Sequence, residues 1–211
     1  MPTPSVEEIL ALAIRHVNAG QPERARVLCE HALARGPHAG AHQLVAVLDL
    51  QHGRAADARH HAQASLALRA DHVPTLIVAG DAALALRDPQ EAAQAFERAI
   101  ALAPGHADAW FKLALARQDL REFDAAAAAL REALRLKPDS PEAEVNLGIV
   151  LQEAGRLYEA MAAYGRAYRL RQETFGRIAH ALATPGVGRL YLDLEDLRAA
   201  LVTAAEALPP A

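Results

Sequence analysis

The sequence predicts an all-α protein built from stacked helix–turn–helix units, and a period of about 34 residues is the main reason. Small side chains recur at this spacing in two ladders. Such a period is the signature of stacked repeats, because small residues let two helices approach closely at the same point of every unit. The composition, 52% apolar and 4% aromatic, also suits helices. The ladders are Ala25, Ala58, Ala92, Ala126 and Ala160, and Ala32, Ser65, Ala99, Ala133 and Ala167.

Each unit is expected to contain two antiparallel helices. Pro37, Pro104 and Pro138 recur at the same period and end the second helix, since proline cannot continue a helix past the preceding residue. Ser5 and Ser140 are expected to cap first helices with their hydroxyl groups. The predicted units are 6–38, 39–72, 73–106, 107–140 and 141–174, followed by a C-terminal extension, 175–211. The clearest helices are expected at about 74–86, 89–102, 107–119 and 123–136, with turns at Gly20, Gly53, Asp88-Pro89 and Gly155.

The fourth unit carries Trp110, Leu113-Ala114, Phe123 and Ala126 in order. This pattern resembles the tetratricopeptide repeat, W-x2-L-G-x2-Y then A-x3-F then P, and the five copies cover about four fifths of the chain. The resemblance implies a right-handed α-solenoid in which first helices line a concave groove that binds partners. The second unit matches least well, so the thinnest core is expected there. The tryptophan position is occupied elsewhere by Ile9, His42, Leu76 and Glu144.

The C-terminal extension departs from the repeat. Because no breaker appears before Thr184-Pro185-Gly186, one helix is predicted from about Tyr158 to Ala183, unless Gly176 starts a separate helix. An extended stretch, 189–192, should follow, and Asp193 should cap a last helix at 194–207. This helix could cap the last unit, fold into the groove or form another accessory element. Its apolar face contains Leu194, Leu197, Leu201 and Ala204.

Aligning the units on the family pattern assigns side chains to the groove. They are mostly aliphatic, with a polar lower edge that also includes Arg54, Asp88, Glu122 and Arg156. Such a strip favours an apolar or amphipathic segment as ligand, and it lacks the Lys, Arg and Asn of the family's carboxylate clamps. Alternatively, some of these residues pack between first helices. The predicted groove residues are Leu10, Ile14, Val17, Gln43, Val47, Leu50, Ile77, Asp81, Leu84, Phe111, Leu115, Gln118, Val145, Ile149 and Gln152.

Charge and cysteine content narrow the partners. A net charge of −4 with no basic patch argues against nucleic acid. No stretch approaches 18 apolar residues and the N-terminus does not resemble a signal peptide, so a cytoplasmic, non-membrane protein is expected. Cys29 is the one cysteine and lies at an apolar position, which predicts a buried thiol.

Catalytic and metal-binding patterns are weak. No GxSxG or HExxH motif occurs, and Gly186-Val187-Gly188 lacks the rest of a phosphate loop, so no enzyme activity, cofactor or metal is predicted. His38, His72 and His106 recur every 34 residues and are expected at turns or helix starts. The histidine-rich second unit leaves metal binding open.

Three functions remain. The leading interpretation is a non-catalytic scaffold that binds a protein or peptide in the groove. The second is an accessory subunit that recruits substrate to a separate transferase-type enzyme, because such repeats resemble the N-terminal regions of some bacterial transferases. The third is self-association through exposed end units, giving a weak homo-oligomer. A bacterial source is suggested by composition.

Overall fold

A computed structural model describes residues 4–183 and 194–207. Within these ranges the regular structure is helical, as predicted. The chain divides between residues 103 and 104 into an N-terminal body and a C-terminal body. The N-terminal body contains α1 Val6–Asn18, α2 Pro22–Leu33, α3 Ala39–Gln51, α4 Ala55–Leu68, α5 Val73–Ala85 and α6 Pro89–Leu102. The C-terminal body contains α7 Ala107–Asp119, α8 Phe123–Leu136, α9 Pro141–Glu153, α10 Leu157–Leu170, α11 Phe175–Leu182 and α12 Leu194–Ala207.

Helices pack in consecutive pairs. In the N-terminal body α1 packs on α2, α3 on α4 and α5 on α6, and the second helices α2 and α4 also pack on the first helix that follows them. In the C-terminal body α7 packs on α8, α9 on α10, and α8 on α9. The helix bounds in the third and fourth pairs agree with the sequence prediction to within a residue. We refer to α1, α3, α5, α7 and α9 as first helices and to α2, α4, α6, α8 and α10 as second helices.

The turn inside each pair places one residue in the left-handed region of backbone space. Gly20, Gly53 and Gly155 occupy it with φ of 68°, 73° and 77°. Arg87 and Arg121 occupy the equivalent positions with φ of 61°. A side chain raises the energy of this conformation, so the turn geometry is set by packing of the pair rather than by glycine alone.

The residues that precede the first helices also recur at the repeat period. The Ser5 and Ser140 hydroxyl groups accept backbone N–H bonds from Glu8 and Ala143. Their equivalents His38 and His106 accept backbone N–H bonds through Nδ1, at 3.3 and 3.2 Å. The predicted helix-start position of the histidine ladder is therefore confirmed. The His38 and His106 imidazoles act as N-cap acceptors, which requires an unprotonated Nδ1, whereas His72 precedes α5 without a side-chain cap bond.

One buried contact differs in size from pair to pair. A Cβ added at Gly80 would lie 2.5 Å from the Phe96 ring, and one at Gly148 would lie 2.3 Å from the Tyr164 ring. The other pairs have alanine at the first-helix position and a smaller residue opposite. We call the position on the first helix and the facing position on the second helix, taken together, the core slot. Its residue pairs are Ala13/Cys29, Ala46/Ala62, Gly80/Phe96, Ala114/Leu130 and Gly148/Tyr164.

The predicted long helix from Tyr158 to Ala183 is wrong. Helix α10 ends at Leu170, because Arg171 is extended (φ −154°, ψ 109°) and a short 3-10 turn, Gln172–Thr174, leads into α11. The break falls before Gly176, the alternative start of a separate helix in the sequence prediction. The Thr174 hydroxyl bonds the Arg171 carbonyl at 2.7 Å, and the new direction buries Ile178 and Leu182. Burial of these apolar side chains favours the break over continuation.

The last helix acts as a cap. Helix α12 packs on α10, with Leu197 and Leu201 buried. The Arg198 guanidinium lies 4.5 Å from the centre of the Phe175 ring, which links α12 to α11. A cap of this kind covers apolar surface on the last repeat. The predicted Asp193 cap and the extended stretch 189–192 lie outside the described residues.

Candidate partner-binding surface on the first helices

In the N-terminal body most of the predicted groove side chains reach solvent. Ile14 is 50% exposed, whereas Leu10 is buried in the core that α1 shares with α2 and α3. The polar edge is already engaged: the Arg54 guanidinium bonds Asp49 Oδ1 at 2.8 Å, and Asp88 caps α6. The partly exposed members are Val17, Gln43, Val47, Leu50, Ile77, Asp81 and Leu84.

In the C-terminal body the predicted set divides. Phe111, Leu115, Gln118 and Ile149 are partly exposed, and we call these four residues the Phe111 surface. Val145 is completely buried, so it belongs to the packing between helices.

Gln152 is also buried and works as a structural relay. Its Oε1 accepts the Tyr164 hydroxyl at 3.0 Å, and its Nε2 donates to the Ala181 carbonyl at 2.8 Å. The relay joins α9, α10 and α11 and satisfies a buried hydroxyl group that would otherwise cost free energy. Leu10, Val145 and Gln152 therefore offer a partner little or no surface.

The Phe111 surface is bounded by a cleft at one end and by a hydrogen bond at the other. At the N-terminal ends of α7 and α9, the Phe111 side chain helps to line a cleft of about 220 Å³. At their C-terminal ends the Gln118 amide donates to Glu153 Oε2 at 2.7 Å. Helical periodicity then places Leu115 and Ile149 on the same side, between cleft and hydrogen bond. The cleft is lined by Ala107, Asp108, Phe111, Ala133, Lys137, Ser140, Glu142 and Ala143.

Charged groups beside this surface neutralise one another. The Arg156 guanidinium lies 3.2 Å from Asp124 and 2.7 Å from Glu159. Its hydrogen bond lowers the pKa of the Glu159 carboxyl, and the carboxyl in turn raises the pKa of Arg156. Arg117 pairs with Glu122, and Lys112 lies 3.0 Å from Asp108. A partner's carboxylate would have to displace these ion pairs, which favours apolar contact at Phe111, Leu115 and Ile149.

Sequence reasoning missed a second apolar patch. Val27 is 64% exposed and Leu12 is 38% exposed, and they line a shallow depression on α1 and α2 with Leu28. Both lie on the first helix pair, whose outer side is not covered by another pair among the described residues. For Leu12, position in the array was the available signal, because the equivalent residues Val45, Leu113 and Leu147 of later pairs are buried.

Buried charges were also missed. Asp49 is fully buried and bonds both Arg26 and Arg54, while Glu144 at the tryptophan position bonds Arg166 at 2.7 Å. Burial raises the pKa of the Glu144 carboxyl, although Arg166 opposes the shift. Cys29 is buried as predicted, which raises the pKa of its thiol to about 11. Period alone cannot reveal such pairs, since Arg26 and Asp49 lie 23 residues apart and Glu144 and Arg166 lie 22 apart.

Two further features concern residues 4–183 and 194–207 as a whole. None of their helices combines the length and apolar character needed to cross a membrane. Three or more His, Cys, Asp or Glu side chains arranged to hold a metal ion are likewise absent from these ranges.

Comparison with known proteins identifies the repeat. A sequence model of the tetratricopeptide repeat matches residues 77–117 and 111–173. No curated protein matches the sequence. A crystal structure of MamA is 21% identical, covers 80% of this chain and 93% of its own, and gives a TM-score of 0.73. A MamA structure from Desulfovibrio magneticus RS-1 is 18% identical, with coverages of 80% and 96% and a TM-score of 0.74.

A further solved structure is described as a repeat protein of this kind. TTC0263, a thermophilic tetratricopeptide repeat protein in Thermus thermophilus, is 25% identical, with coverages of 85% and 100% and a TM-score of 0.62. These structures share the stacked-pair fold with this chain.

Proposed function

Because the chain belongs to the tetratricopeptide repeat family, we propose that it is a non-catalytic scaffold that binds an apolar or amphipathic segment of a partner protein. The Phe111 surface is the proposed docking site. The observation that carries this proposal is the combination of a partly exposed aromatic ring at a cleft with aliphatic neighbours and with ion pairs beside them. Exposed apolar surface bordered by polar groups is typical of a protein-binding site.

The dimensions of the surface favour a helix or a short extended segment. Phe111 and Leu115 are separated by one helical turn on α7, and Ile149 extends the apolar strip onto α9. A partner that places one side chain in the cleft could lay a second across Leu115 and Ile149. Such anchors supply most of the binding energy of an interface, whereas rim charges contribute little.

The usual nucleophiles of the chain have structural roles, which supports a non-catalytic function. Ser5 and Ser140 cap helices, and the Ser65 hydroxyl donates to the Ala39 carbonyl at 2.9 Å. The Cys29 thiol is buried and stays protonated near neutral pH. A cytoplasmic location goes with this proposal, because one cysteine leaves no internal disulfide.

The experiment begins with a peptide selected from a random library displayed on phage against the intact protein. Its affinity is then measured by calorimetry for wild type and for Phe111→Ala/Leu115→Ala. Loss of buried anchors should weaken binding at least about 30-fold, corresponding to ~2 kcal/mol or more. The matched control is Tyr158→Ala on α10, which removes a 69% exposed aromatic ring elsewhere and should leave affinity unchanged.

Two results would contradict the proposal. If Tyr158→Ala weakens binding as much as the double variant, the docking surface lies elsewhere. If charge reversal at Glu122 and Arg156 dominates instead, the surface is a polar clamp. Circular dichroism of each variant must first show wild-type helicity.

Self-association is a second candidate, favoured by the exposed Leu12 and Val27 patch. Light scattering after size exclusion should then show a mass that rises with concentration. Val27→Glu should keep the chain monomeric, because it places a charge in the apolar contact. A monomer at every concentration for wild type would exclude this candidate.

A further inference from the structure

A hydrogen bond between two histidine rings joins the helices of the second pair. His42 of α3 and His61 of α4 bring their Nδ1 atoms to 3.0 Å, and their ring centres lie 5.3 Å apart. The ring centres are farther apart than the nitrogens by the radii of the two rings, so the rings meet end to end and each Nδ1 faces the other. The contact is therefore an N–H···N hydrogen bond, in which one ring donates and the other accepts.

This bond has room for one hydrogen between the two nitrogens. In the neutral pair the donor ring carries its hydrogen on Nδ1, and the acceptor ring carries its own on Nε2. A first added proton can bind Nε2 of the donor ring and leave the bond intact. A second must bind Nδ1 of the acceptor ring, which would set two cationic N–H groups against each other across 3.0 Å. The contact therefore tolerates one positive charge and excludes two.

The surroundings of the pair also resist its protonation. Burial is the main cause that lowers the pKa of both imidazoles, and the neighbouring His60 lowers each pKa further. The ring of His60 lies edge-on to His61 at 5.5 Å. Asp49 favours the charged form of His61, but this carboxylate already bonds Arg26 and Arg54.

Charged and titratable groups approach the pair from the helices packed around it. Those that shift the two pKa values are His38 and Asp49 on α3, Asp57 and His60 on α4, and Arg26 on α2. Helices α1 and α5 also pack on α3, and the charged or titratable residues that they carry are Glu7, Glu8, Arg15, His16 and Asp81. None of these five shifts the pKa of either ring. The two carboxylates on α3 and α4 act on His61 alone, so none of the described groups favours the charged form of His42.

Apolar packing between α3 and α4 is thin beside the two rings. The core slot of this pair holds only Ala46 and Ala62. Ala46 lies one helical turn after His42, and Ala62 directly follows His61. Regions with little buried apolar contact open at low free-energy cost. Repulsion between two charged rings at this point can therefore decide whether the pair stays closed.

We propose that the His42–His61 bond makes the second helix pair a pH-sensitive element, in which protonation of both imidazoles separates α3 from α4. In the open pair the imidazoles bind protons at their ordinary pKa of about 6.5, whereas the closed pair resists the second proton. The contribution of the bond to stability is therefore complete above this pH and declines as the pH falls toward the lowered pKa of the closed pair. This element lies in the N-terminal body, and its response does not depend on binding at the Phe111 surface.

The test measures hydrogen exchange of the full-length protein by mass spectrometry, with the intrinsic exchange rates corrected for pH. Protection of α3 and α4 should fall about tenfold from pH ~7.5 to pH ~5.5, because an imidazole of pKa ~6.5 is protonated about ten times more often than not at the lower pH. Protection of α7 and α8, in the other body, should not show this fall. Constant protection of α3 and α4 over the range would refute the proposal.

Substitutions identify the responsible ring pair. His42→Gln and His61→Gln should each abolish most of the response, because a single titratable ring cannot produce the doubly charged contact. His38→Ser keeps the cap of α3 through a hydroxyl group and should retain the response, as should His31→Gln at an exposed position on α2. Circular dichroism at neutral pH establishes first that each variant is folded. A full response in both glutamine variants of the pair, or its loss in His38→Ser, would contradict the proposal.

A second readout follows the bond itself in the unsubstituted protein. With ¹⁵N-labelled histidine, nuclear magnetic resonance should detect a scalar coupling between the two Nδ1 atoms. This coupling should survive the first protonation and disappear together with the protection of α3 and α4. Absence of the coupling at neutral pH, or protection that persists after the coupling has gone, would overturn the proposal.

Discussion

The second and fifth helix pairs use the same backbone plan with opposite solutions for their cores. Between α3 and α4 the core slot holds Ala46 and Ala62, and the surrounding cluster contains only alanine and valine among its buried members. Between α9 and α10 it holds Gly148 and Tyr164, and the fully buried ring presses against the glycine backbone. Volume is therefore exchanged across the slot: where one helix carries a ring, the other carries no side chain.

This exchange teaches that the slot behaves as one shared space rather than as two separate positions. Gly80 and Phe96 repeat the arrangement of Gly148 and Tyr164 in another pair. The second pair does not fill the space with a ring, and it also carries the His42–His61 contact and the buried Asp49. Close packing of the interior makes such complementary choices necessary.

The largest expected effect comes from adding one methyl group to the fifth pair. Gly148→Ala should destabilise the protein by an amount near the top of the ~1–3 kcal/mol range for overpacking, because Tyr164 is buried and has nowhere to move. Chemical denaturation measures the change. Gly176→Ala is the control, since its Cβ would meet nothing within 4 Å.

A double variant sharpens this prediction. Gly148→Ala/Tyr164→Leu recreates the Ala114/Leu130 combination and should be more stable than the sum of the two single changes predicts. Simple additivity would show that the ring and the glycine are not coupled, and the exchange of volume would then be refuted.

A medium effect should distinguish the core slot from the alanine ladder. Ala126→Leu should cost ~1–3 kcal/mol, because Ala126 is fully buried and every pair has alanine there. Ala62→Leu places the same side chain in the slot of the second pair, where Leu130 is accepted in another pair, and should cost less. Thermal melting of the two variants gives the comparison. An equal loss at both positions would mean that the slot of the second pair is already full.

The smallest effect concerns how the two pairs begin. His38 caps α3 and Ser140 caps α9 with equivalent hydrogen bonds. His38→Ser should therefore leave the free energy of unfolding nearly unchanged, whereas His38→Ala should cost ~1 kcal/mol through loss of the cap. Chemical denaturation measures both. A neutral His38→Ala would show that this cap contributes nothing.

The sequence by itself determined the features that depend on local chemistry and on repetition. The period identified the paired helices, Pro37, Pro104 and Pro138 marked where second helices end, and the histidine ladder marked helix starts. These signals are readable because a helix boundary or a small packing residue acts within a few residues, and five copies repeat it. The apolar character of Phe111, Leu115 and Ile149 was equally visible.

Only the tertiary structure decided which side chains meet across helices. It buried Val145 and Gln152, left Phe111 and Ile149 partly exposed, and ended α10 before Arg171. It also brought together His42 and His61, which lie 19 residues apart on two helices. Whether a side chain faces solvent or a neighbour depends on the helices packed around it, and residues distant in sequence supply those helices. Period specifies the units, whereas the contacts between helices specify the surface that a partner meets.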